Sequence, residues 1–101
     1  VELMAMGEEK NMEKVTVTVP NPIGLHARPA SLLTKLVKNF KCDIEFYKNG
    51  NENQRHQPKS IISVMAMGAA KGDKLTFEAN GEDEKLAIKA IEEFINNGCG
   101  E

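Results

Sequence analysis

The chain lacks any run approaching the roughly 20 consecutive apolar residues that cross a membrane as a helix. Val1 to Asn11 also lack the apolar centre of a secretory signal, so the sequence reads as that of a cytoplasmic protein with no direct membrane insertion. Cysteine is sparse. Cys42 and Cys99 stand far apart, with no CxxC pair and no adjacent histidine, which removes the usual basis for a zinc site and leaves two reduced thiols of minor structural consequence. No metal or cofactor is implied. Nor is charge of either sign in excess: 13 Lys+Arg against 15 Asp+Glu give a formal net charge of -2. Nothing electrostatic calls for nucleic acid or an anionic membrane, and the expected partners are proteins or small molecules.

What is present fits one domain, since 101 residues can bury one core of a few layers and not two. Residues 1–11 carry no sustained period and read as a disordered leader or an added remnant, leaving 12–101 as the domain. Val15, Val17 and Val19 alternate with Thr16 and Thr18, the two-residue period of a half-buried strand, and Pro20 limits it. After the turn residues Asn21, Pro22 and Gly24, a stripe of Ala30, Leu33, Leu36, Val37 and Phe40 predicts a helix from about Ala27 to Asn39. Cys42, Ile44 and Phe46 alternate again up to the turn pair Asn49-Gly50, giving a second strand.

Asn51 to Pro58 offers no apolar alternation, so the sequence predicts only an exposed, weak edge strand there, bulged or looped out and ended by Pro58. His56, inside that polar stretch, is assigned to solvent. Ser60 and Gly68 bracket a short apolar segment, as an N-cap and a terminator bracket about two helical turns. Leu75, Phe77 and Ala79 make another strand, and Ala87, Ile88, Ile91, Phe94 and Ile95 a last helix that stops at Asn97-Gly98. One sheet with a single apolar face covered by helices follows: an α/β (α+β) two-layer sandwich.

The most informative stretch is Gly24-Leu25-His26-Ala27-Arg28-Pro29-Ala30. His26 follows a glycine-containing loop and precedes a helix whose first turn tolerates Pro29, because early helical N–H groups have no intrahelical acceptor. The amides of Ala27 and Arg28 and the positive end of the helix dipole therefore stand near the imidazole, an arrangement that favours an anion. Positive potential there favours an uncharged ring with a lone pair free to attack phosphorus. The same donors, with the planar fork of Arg28, would hold the phosphoryl oxygens afterwards. Alone, a histidine beside a helix start is more often a cap or a surface residue.

The surrounding residues say more. The string NPIGLHARPA resembles the active-site motif of the histidine-containing phosphocarrier proteins, HPr, of the phosphoenolpyruvate-dependent sugar phosphotransferase system. Lys59-Ser60-Ile61-Ile62-Ser63-Val64-Met65-Ala66-Met67-Gly68 is similar to that family's second motif, and Gly81-Glu82-Asp83-Glu84 with Ala87 and Ile91 to its final helix. Met12 to about Asn97 is covered. The resemblance implies an open-faced sandwich in which a four-stranded antiparallel sheet carries three helices on one face, in the order βαββαβα. It implies that enzyme I donates phosphate to His26 with Arg28 assisting, that sugar-specific IIA domains receive it, and that the protein is a transfer intermediate rather than a stand-alone catalyst.

Ser60 is placed as a helix cap, and by the same resemblance as a site for a regulatory phosphate set by an HPr kinase/phosphorylase and read by a catabolite-control regulator. Ile61, Ile62 and Met65 exceed what a two-turn helix buries, which marks a docking patch or, alternatively, core. A relay needs transient contacts, so a monomer is expected. Two other readings use the same fold: a regulatory module acting through Ser60, and a carrier in a non-sugar, nitrogen-control phosphorelay. The stretch Asn51 to Pro58 departs from the family in being longer and more polar, and Ser63 stands where relatives often have glycine or a larger residue.

Overall fold

The structure, a computed structural model, describes residues 12–101; the leader expected over 1–11 lies outside the described residues. The Val/Thr alternation forms β1, Glu13–Thr18. Val17 is buried, whereas Thr16 is exposed and meets Thr76 hydroxyl to hydroxyl at 2.9 Å. The helical stripe becomes α1, Ala27–Val37, which buries Pro29, Ala30, Leu33, Thr34 and Val37. Next come β2, Asp43–Lys48, and the short α2, Ile61–Met67. The chain continues through β3, Lys74–Asn80, and α3, Glu84–Asn96.

Among the described residues the sheet has three strands in the order β1-β3-β2, and β3 pairs antiparallel with both neighbours. This register sets Phe46 of β2 opposite Phe77 of β3. Their rings stack at 4.7 Å between centroids, joining dispersion contact to the burial of two large apolar surfaces. Ala87, Ile88, Ile91 and Ile95 line the buried face of α3. That helix lies against β1, β3 and α1, and α1 also contacts α2. Helices and sheet thus form the two expected layers.

The expected fourth strand is not formed, and the observed order is βαβαβα. Asn49 and Gly50 both take positive φ, 53° and 76°, as a tight hairpin turn requires, and Asn51 N–H closes that turn onto the Lys48 carbonyl. A second turn follows at once, with Gln54 N–H on the Asn51 carbonyl and the Asn51 amide on Gln54 Oε1. Polar side chains satisfied within their own turn, followed by Pro58, leave only His56 to pair, in a single antiparallel bridge with Phe46.

That bridge also overturns the placement of His56 in solvent. Its ring is half-buried, edge-on to Phe46 at 6.1 Å, and its Nδ1 stands 3.1 Å from the Ser63 carbonyl. Main-chain pairing with Phe46 carries the imidazole inward despite the polar surroundings. Beside it, Arg55 stacks over the Tyr47 ring at 5.0 Å and pairs with Glu78 at 2.6 Å, so the long connection folds back across the outer face of the sheet.

Candidate functional site

The loop before α1 is fixed from both sides. Gly24 N–H bonds the Asn21 carbonyl at 3.1 Å, and Leu25 N–H bonds the Ala69 carbonyl at 3.0 Å, holding the loop against the residues that follow α2. Gly24 has φ +75°, and a Cβ there would land on the Ala69 carbonyl oxygen. Only glycine suits both constraints.

His26 follows as the N-cap of α1, with extended backbone and no capping bond from its side chain. Its ring is about one-third exposed, the side chain retaining 36% of its accessible surface. The amides of Ala27 and Arg28 donate to no acceptor among the described residues, whereas Ala30 N–H already bonds the His26 carbonyl. Pro29 is buried in the first turn with no N–H to satisfy. Arg28 is exposed, and its side chain forms no ion pair or hydrogen bond among the described residues. Two uncommitted amides, a helix start and a free guanidinium on successive residues can bind the oxygens of a tetrahedral anion.

Sequence reasoning missed the group that touches the ring. Glu101 Oε2 lies 3.0 Å from His26 Nε2, and Asn21, itself buried, donates its amide to Glu101 Oε1 at 3.3 Å. Cys99, fully buried in a left-handed turn with φ 58° between Gly98 and Gly100, brings this end of the chain back to the site. The contact joins residues 75 positions apart, and no local pattern announces it. His26 Nδ1 has no partner among the described residues.

Ser60 occupies the cap of α2 and accepts the Ser63 N–H at 3.2 Å. Lys59, its partner in the second motif, donates to the carbonyls of Phe40 at 2.8 Å and Cys42 at 2.9 Å; this lysine ties α2 to the segment before β2. Val64 and Met67 are the buried residues of α2, while Ile61, Ile62 and Met65 face outward, Ile62 with 78% of its surface accessible. Ile23, in the loop before His26, is also exposed and went unread in the sequence. Both thiols are free and buried. Burial pushes each up to about 11, aided at Cys42 by Asp83 and at Cys99 by Glu101. Among the described residues no group of His, Cys, Asp and Glu could hold a metal ion, and no helix is long and apolar enough to cross a membrane.

Comparison with known proteins identifies the family of the chain. The family model described as the PTS HPr component phosphorylation site matches residues 13–97. The chain is 40% identical over 86 residues to the multiphosphoryl transfer protein of Haemophilus influenzae, covering 85% of this chain and only 17% of that much longer protein. It is 38% identical to the phosphocarrier protein HPr of Mycoplasma pneumoniae, covering 83% of this chain and 93% of that one. The crystal structure of HPr-C-His from Thermoanaerobacter tengcongensis superposes with a TM-score of 0.80 at 35% identity, covering 88% of this chain and 97% of the other. The chain belongs to the HPr family of the phosphotransferase system.

Proposed function

We propose that residues 12–101 act as one phosphocarrier domain that accepts a phosphoryl group from phospho-enzyme I on His26 and passes it to sugar-specific IIA components. The observation that supports this reading is a partly exposed imidazole at the cap of α1, followed directly by the uncommitted amides of Ala27 and Arg28. A nucleophile beside unengaged anion donors can both accept and release phosphate. Arg28 contributes bidentate stabilisation of the phosphoryl oxygens. No bond within the substrate sugar is made or broken by this chain, which is an intermediate and not a catalyst in its own right. Such partners place it in the cytoplasm.

Ile61, Ile62 and Met65 form the docking patch in this reading. Their exposure and the adaptable methionine suit a monomer that meets several partners briefly. Incubation with phosphoenolpyruvate and enzyme I gives an acid-labile, base-stable phosphate on the wild type, discharged by a IIA domain and missing from His26→Ala. An unlabelled wild type rejects the carrier role; equal label on His26→Ala rejects the site.

A regulatory phosphate on Ser60, added by an HPr kinase/phosphorylase and read by a catabolite-control regulator, is a second role of the same domain. It is supported by the placement of the half-buried hydroxyl at a helix cap next to exposed Ile61 and Ile62, where added negative charge is compatible with the helix. An acid-stable phosphate formed by the kinase and lost in Ser60→Ala is the expected result.

A further inference from the structure

The carboxylate on the far side of the ring has a consequence for the energetics of transfer. We infer that Glu101, held by Asn21, is a positioning residue that fixes the His26 ring and stabilises its phosphorylated form, so that it sets how tightly the carrier keeps its phosphoryl group. This inference rests on the reading of His26 as the acceptor.

The geometry leaves little choice of nitrogen. Nε2 is held by Glu101 Oε2 at 3.0 Å, and Asn21 steadies the other carboxylate oxygen. Among the described residues nothing engages Nδ1, which keeps its lone pair for the transfer. In the transfer step that lone pair forms the new N–P bond, and the bond from phosphorus to the donor breaks with its electron pair returning to the donor. Nε2 keeps its proton throughout. The His26 ring therefore gains a positive charge on phosphorylation, shared over both nitrogens, while the negative phosphoryl oxygens turn toward the amides of Ala27 and Arg28. The carboxylate on Nε2 is on the opposite side of the ring from the new bond and meets the charge that the reaction creates. An interaction stronger in the product than in the starting state shifts the equilibrium toward the product.

The attachment of Glu101 is built, not incidental. Gly98, Cys99 and Gly100 all have positive φ. The Cys99 side chain is fully buried in the core, and Gly100 sits where a Cβ would strike Leu32. The end of the chain is thereby anchored immediately before the carboxylate. Asn21 is itself buried, and its Oδ1 has no partner among the described residues, so the orientation of its amide is set by the groups to which it donates: the Gly24 carbonyl and Glu101.

The test is the equilibrium constant for phosphoryl exchange between phospho-enzyme I and this chain, measured for wild type, Glu101→Gln and Glu101→Ala. Both ions are partly exposed, so the expected effect is modest: about a fivefold shift toward phospho-enzyme I in each variant. The shift shrinks as salt is raised, because a partly exposed pair is screened. A merely structural role for Glu101 would lower thermal stability and leave this constant and its salt dependence unmoved. Wild type that labels, with an unchanged constant in both variants, overturns the inference and leaves the carrier reading standing. Wild type that does not label overturns both.

Discussion

Adding one methyl group at Gly24 tests whether the loop that presents His26 is held as described. An L-residue at φ +75° costs about 1–2 kcal/mol from its own backbone. In addition, the new Cβ would meet the Ala69 carbonyl oxygen. That carbonyl accepts Leu25 N–H, and separating the two leaves a buried amide unpaired, for about 1–3 kcal/mol more. The expected loss for Gly24→Ala is about 3 kcal/mol, a fall of about 1.5 M in the urea midpoint if the slope is about 2 kcal/mol/M. Gly50 is an internal control. Its φ is nearly the same, +76°, but among the described residues nothing lies within 4 Å of its added Cβ. Gly50→Ala should therefore show the backbone cost alone, about 1–2 kcal/mol, with phosphorylation of His26 unaffected. Gly24→Ala should slow that phosphorylation as well, because the loop must shift. Equal losses of stability from the two substitutions would refute the packing argument.

Further outcomes follow from the caps, carboxyls and thiols. Ser60→Ala should cost about 1 kcal/mol in chemical denaturation, the worth of the bond from Ser63 N–H. Backbone N–H bonds from Lys41 to Asp83 and from Ala70 to Asp73 hold both carboxyls below the ordinary range. In the unfolded chain these groups titrate at about 3.9, so their contribution is complete above about pH 5 and is lost as the pH falls through the folded-state values. Acid unfolding curves should show Asp83→Asn losing less stability over that interval than wild type. The thiols behave oppositely: with Cys42 and Cys99 raised to about 11, the unfolded chain ionises them first. Stability should decline as the pH rises from about 9, and neither thiol should react with iodoacetamide at neutral pH until the protein is denatured.

Elements with a strong period were legible in the sequence. Alternation at Val15 and Val17, and the stripe Ala87, Ile88, Ile91 and Ile95, became β1 and α3 because a repeated apolar face has one way to reach the core. The Asn49-Gly50 turn and the Ser60 cap were equally readable, since each follows from the chemistry of one or two residues. The weak fourth strand was not legible. Its residues satisfy one another locally, and whether a polar segment pairs depends on the edge of β2, which lies elsewhere in the chain. His56 was misplaced for the same reason: its burial comes from Phe46 and Ser63, not from its neighbours in sequence. At the candidate site, Gly24, His26, Arg28 and Pro29 lie within six residues and could be read together. Glu101 could not, because its approach to His26 depends on the turn at Cys99.

The central claim is that the phosphoryl group resides on a ring nitrogen of His26. Phosphorus NMR of the protein labelled from phosphoenolpyruvate and enzyme I, with peptide mapping of the label, measures this directly. The account predicts a single phosphoramidate resonance, stable in base and lost in acid, on the peptide containing His26. A phosphoester resonance, or label on a peptide containing His56 and not His26, would contradict it.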